Sequence, residues 1–128
     1  MHITPINPAH DIYPATADYV HAVQVTAPTR WLFISGTMGL ANDSRAAATV
    51  DGQLALIWHN VQRILQEAEM TPVNIVRVTS YLTDAAYSEA NQNASEVAVG
   101  HHPVATTAVI VGTLNSDWLV EVEAIAAA

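Results

Sequence analysis

The chain has no cysteine and no lysine, and only 12% of its residues are charged. Without cysteine there can be no disulfide, no thiolate nucleophile and no zinc–thiolate site, a pattern that fits a cytoplasmic protein. Its four arginines, Arg30, Arg45, Arg63 and Arg77, are outnumbered by twelve acidic residues, giving a formal net charge of −8. Nucleic-acid binding draws its affinity from neutralised phosphates, so this balance argues against it, and against an anionic membrane surface too. No apolar run approaches the ~20 residues that cross a bilayer. The opening Met1-His2-Ile3-Thr4-Pro5 has neither the basic region nor the apolar stretch of a signal peptide.

What is present is 128 residues, 51% of them hydrophobic. That length predicts a single domain over 1–128 with a sizeable core. So little charge on so small a domain predicts that some surface is covered by oligomerisation. The first 18 residues hold three of the six prolines and read as an irregular arm. Strands are expected over 19–25 and 31–35, broken by Gly36 and Gly39, with a short strand over 46–50. Gly36-Thr37-Met38-Gly39 lacks the further glycines and the lysine of a phosphate loop. Leu54, Ile57, Trp58, Val61, Ile64, Leu65 and Ala68 recur at three and four, the stripe of an amphipathic helix capped by Asp51. A strand follows over 74–83, with Val76, Val78, Ser80 and Leu82 on one face and Ile75, Arg77, Thr79 and Tyr81 on the other. Asp84 caps a second helix, which Gly100 closes.

Residues 103–126 read as a hairpin of strands over 104–111 and 118–125, with turn residues between them. The period of two sets Trp118, Val120, Val122 and Ala124 against Leu119, Glu121, Glu123 and Ile125. The first strand is apolar on both faces, which predicts cover on both sides, one of them from another chain. The whole reads as an α+β layer: a mixed six-stranded sheet with both helices on one face.

Written in these words, the series resembles the reactive-intermediate deaminase family (RidA/YjgF, also known as endoribonuclease L-PSP). The matching pieces are Tyr19-Val20-His21-Ala22-Val23, Leu32-Phe33-Ile34-Ser35-Gly36, Asn60-Val61-Gln62-Arg63-Ile64-Leu65, Ile75-Val76-Arg77 through Tyr81-Leu82-Thr83-Asp84, and Val120-Glu121-Val122-Glu123-Ala124-Ile125-Ala126. The resemblance implies a chorismate-mutase-like fold, a homotrimeric barrel, and clefts between subunits where enamines and imines are hydrolysed without metal or cofactor. It implies that Glu121 holds the attacking water, with Tyr19, Gly36, Asn91 and Thr107 along the cleft. Members with that activity carry an arginine at the head of the penultimate strand to clamp the substrate carboxylate. Here the words are Pro103-Val104-Ala105-Thr106, so the chain resembles the subset lacking the clamp, with Ala105 in its place.

Each candidate has a plainer reading. Glu121 and Glu123, about 7 Å apart along one strand face, suit acid–base work because like charges push one pKa up. They equally suit structural pairing with Arg77, and Arg77 in turn reads first as half of a sheet-face ion pair and second as a replacement anion clamp. His101-His102 reads as loop polarity in preference to metal ligation, His59 as an exposed neighbour of Arg63, and Trp31, Trp58 and Trp118 as core or interface. Two functions follow. One is a deaminase whose substrate is not a simple 2-imino acid; the other is a non-catalytic trimer binding a small metabolite in its clefts. The charge balance disfavours a ribonuclease.

Overall fold

The computed structural model describes residues 1–128. In chain order the elements are β1 (His2–Ile6), β2 (Ala22–Thr26), β3 (Trp31–Met38), α1 (Val50–Glu67), β4 (Ile75–Leu82), α2 (Ser88–Val99), β5 (Ala105–Ile110) and β6 (Val120–Ala127). The mixed α+β fold is the expected one, with six strands and two helices. The strands divide unevenly, however: β1 and β2 form an antiparallel ribbon of their own, and the remaining four form a sheet of order β3-β6-β4-β5. The arm over residues 1–18 is thus not wholly irregular, because β1 pairs with β2 from His2↔Thr26 to Ile6↔Ala22.

The expected hairpin over 103–126 does not form. Its two strands exist, but β4 lies between them, parallel to β5 and antiparallel to β6. The linker over 111–119 is far longer than the two to five residues of a tight hairpin, so it can carry the chain across β4. The face assignment of β6 holds: Val120, Val122, Ala124 and Ala126 are buried while Glu121, Glu123 and Ile125 are half-buried. Its partner β4 buries Val76, Val78, Ser80 and Leu82 as the alternation predicts, but also Ile75. A register shift between Ile75 and Arg77 turns that residue inward.

Both helices cover one face of the sheet. Leu54, Ile57, Val61 and Leu65 of α1 pack with Val78, Leu82, Val120 and Val122 in one apolar cluster. The cap of α1 is Thr49 and not Asp51, since its side chain accepts from Gly52 N (3.1 Å) while Asp51 sits in the first turn. Val50 already belongs to the helix, so the strand expected over 46–50 is reduced to a single bridge, Leu40↔Ala46. Asp84 caps a short 3-10 turn, Ala85–Tyr87, that leads into α2, and Gly100 ends that helix at φ 86°. Gln53, 1% exposed, ties α1 to the linker ahead of β6. Its Nε2 donates to Ala47 O (2.9 Å) and Asp117 O (2.8 Å), and its Oε1 accepts from Leu119 N (2.8 Å).

The other face is bare. Phe33 is 73% exposed and Trp31 49%, and every residue of the edge strand β5 after Ala105 is exposed. No helix is long and apolar enough to cross a membrane.

Candidate active site

The bare face carries Glu121 and Glu123 because β6 alternates and its other face is committed to the core. Alongside β6, the register of β3 breaks between Ile34 and Thr37, and Gly36 lies in that break. A Cβ built on Gly36 would stand 3.0 Å from Glu121 Cδ and 3.3 Å from its Cγ. The carboxylate of Glu121 therefore occupies the space a side chain at position 36 would take. Two of the predicted site residues are brought together here.

Glu123 is engaged differently. Tyr81 sits opposite Glu121 in the register but donates its hydroxyl diagonally to Glu123 Oε1 (2.6 Å). That hydrogen bond pushes the Tyr81 hydroxyl above the ordinary tyrosine range; burial and the charges of Glu123 and Glu121 add to the push, and Arg77 opposes it. The expected ion pair of Arg77 with Glu123 or Glu121 is not formed. Arg77 lies opposite Ile125, and its Nη2 turns the other way to donate to Thr107 Oγ1 on β5 (3.1 Å). Four steps of strand, about 13 Å, separate its row from that of Glu121.

A second group gathers at the β5 edge. A cavity of about 290 Å³ is lined by Tyr19, Asn91 and Thr107 together with Asp18, Ser80 and Ser88. Asn91 is 6% exposed and its Oδ1 has no partner in the chain. An unpaired buried acceptor costs about 1–3 kcal/mol, which a ligand N–H or O–H at this cavity would offset. The segment before β2 forms one wall of the cavity, where Asp18 accepts from Thr16 and from Gln92 Nε2 of α2 (2.6 Å). Those bonds, that of Thr16 foremost, hold the Asp18 carboxyl below its ordinary range.

Of the six predicted residues, Tyr19, Asn91 and Thr107 thus share one cavity, and Glu121 and Gly36 meet on the bare face. Ala105 stands apart from both, in register with Arg77 on the neighbouring strand. His102 Nε2 donates to Ile75 O (2.8 Å), which pins its loop to the start of β4. No three His, Asp or Glu side chains are grouped as a metal site would need. A larger groove, about 760 Å³, runs between α1 and α2 past Trp58 and His59, and none of the six residues lines it. Sequence reasoning missed the Tyr81–Glu123 bond, although it placed both residues on polar strand faces. It also missed His21, whose ring packs edge-on to Tyr19 (5.9 Å) with both nitrogens buried and unpartnered.

Comparison with known proteins places this arrangement. Residues 10–128 match the family model described as endoribonuclease L-PSP. A RutC family protein of Aquifex aeolicus (strain VF5) is 41% identical over 69 residues, 52% of this chain and 51% of the relative, so the match spans about half of that protein's length. Among solved structures, a protein of unknown function of the conserved Rid family from Yersinia pestis superposes over 100% of both chains with a TM-score of 0.83 at 24% identity. RidA from an Antarctic Psychrobacter covers 89% of this chain and 91% of its own, with a TM-score of 0.74 at 23% identity. At such identities these two show the shared fold, while the family model covers nearly the whole sequence; the chain belongs to the RidA/YjgF, or endoribonuclease L-PSP, family.

Proposed function

We propose that the protein hydrolyses a reactive enamine or imine to a carbonyl compound and ammonia, with Glu121 holding and activating the water. The observation that carries the reading is the Glu121 carboxylate seated against the open backbone of Gly36 on a half-buried face. An iminium carbon is already electrophilic, so the step asks for a placed water and a proton shuttle. Water adds to the C=N carbon as Glu121 takes one of its protons. Glu121 then returns that proton to the nitrogen, and takes the carbinolamine's hydroxyl proton as the C–N bond breaks, leaving C=O and ammonia, which carries that proton away. An enamine enters the same path after protonation at its β-carbon.

The two groups of site residues lie apart in one chain, and the face between them is bare and apolar at Phe33 and Val109. This supports a homotrimer whose clefts lie between subunits, lined by Tyr19, Gly36, Asn91 and the backbone of Thr107. Ala105 offers no cation, so the favoured substrate is not a simple 2-imino acid anchored at that position. Ammonia release over an imine and enamine panel tests the proposal, with Glu121→Gln as the control. Loss in that variant with its fold and assembly intact supports catalysis at Glu121; equal release by both proteins sinks it. Static light scattering at micromolar concentration tests the trimer, which a stable monomer would refute.

A further inference from the structure

Three of the four arginines are occupied away from the bare face of the sheet. Arg30 Nη1 donates to Ala68 O at the end of α1 (2.7 Å), Arg63 Nη1 to Gln66 Oε1 on α1 itself (2.6 Å), and Arg45 lies beside Asp43 (3.8 Å). Arg77 is the fourth, and it has no carboxylate within ion-pair distance. Its side chain makes one hydrogen bond, through Nη2 to the Thr107 hydroxyl (3.1 Å). A guanidinium carries five N–H donors in a planar fork, so most of its capacity is left over.

Arg77 is exposed on its strand, at the border of a small recess. Arg77 lines a recess of about 150 Å³ with Phe33, Thr79, Glu123 and Ile125. The one acid in the recess, Glu123, is held by Tyr81. On the open side the residue in register with Arg77 is Ala105, whose methyl leaves room, while Thr107 draws the guanidinium toward β5.

We propose that Arg77 is the substrate-anchoring cation, taking a carboxylate through the donors that Thr107 leaves over. This rests on the enamine and imine reading for the reacting group, though the carboxylate site itself does not need it. The guanidinium of Arg77 reaches across to Thr107, two residues along β5 from Ala105. A 2-imino acid has its carboxylate bonded to the carbon under attack and cannot take up such an offset. The substrates that fit carry the acid farther along the molecule.

Stable carbonyl compounds stand in for products in the test. 4-Oxopentanoate, 2-oxobutanoate and the neutral butanone are titrated calorimetrically into the intact protein, wild type and Arg77→Gln. The expected result is that 4-oxopentanoate binds the wild type more tightly than either other probe. In Arg77→Gln its affinity falls about thirtyfold, the size of a lost charge-assisted contact. Butanone is unaffected. Should Arg77→Gln fail to fold, Arg77→Lys keeps the charge without the fork and is expected to lose several-fold affinity, as is Thr107→Val. Unchanged binding of 4-oxopentanoate in these variants, or no preference for it over butanone and 2-oxobutanoate, overturns the inference. Arg77-dependent binding without ammonia release from any imine would leave the anchor standing and remove the deaminase. Ammonia release indifferent to Arg77→Gln would do the reverse.

Discussion

The carboxylate of Glu121 rests against the bare Cα of Gly36, where a methyl group would stand 3.0 Å from the carboxyl carbon. Gly36 is not among the residues with positive φ, so alanine suits its backbone and only the neighbour has to move. If Glu121 is the general base proposed above, Gly36→Ala is expected to cut ammonia release about tenfold or more by displacing it, while the melting temperature changes little. Activity equal to wild type would show that the position of Glu121 is immaterial.

Tyr81 supplies a pH signature. Its folded-state pKa is raised, chiefly by the hydrogen bond to Glu123. A raised pKa stabilises the fold below the unfolded value and loses that stabilisation as pH rises through the folded value. The protein should accordingly weaken in the alkaline range above 10. In a spectrophotometric titration one of the four tyrosines should ionise later than free tyrosine, and Tyr81→Phe should abolish that late phase. Uniform titration of all four would contradict the bond.

Gln53 is the third test, and it concerns stability alone. Gln53→Ala strands Leu119 N, Ala47 O and Asp117 O near the core, and each lost partner costs about 1 kcal/mol or more. Chemical denaturation is expected to report a loss of about 3 kcal/mol. A loss below about 1 kcal/mol would mean that water takes over these bonds.

Ala105→Arg tests the substrate. If Glu121 and its water are otherwise in place, a guanidinium there should raise 2-iminobutanoate hydrolysis at least about tenfold over a low wild-type rate. High wild-type turnover of that compound, or no gain in the variant, would show that residue 105 does not set the preference.

The alternation of β4 and β6 and the stripe of α1 were legible because each reports one buried face, and burial is a local, periodic demand. The pairing of strands was not. The hairpin expected over 103–126 had correct strands and turn residues, yet β4 outcompetes β5 for the edge of β6, a choice made by residues remote in sequence. Tyr19, Asn91 and Thr107 line one cavity, since they hang on the order of elements. The direction of Arg77 was not legible. Strand parity placed it on the face of Glu123, but only the full register shows Ile125 opposite it and Tyr81 already bonded to the acid.

The position of β6 has a consequence for how the protein is made. It follows every other strand in sequence and yet lies inside the sheet, between β3 and β4. Until residues 120–127 have left the ribosome, β3 has no partner in that sheet, and β4 presents an open edge with the apolar stripe of α1 nearby. Such long-range pairing is slow, and it leaves adhesive surface exposed while it waits. Closure of this sheet therefore waits for β6, and nascent chains stalled before it should be the species that chaperones hold.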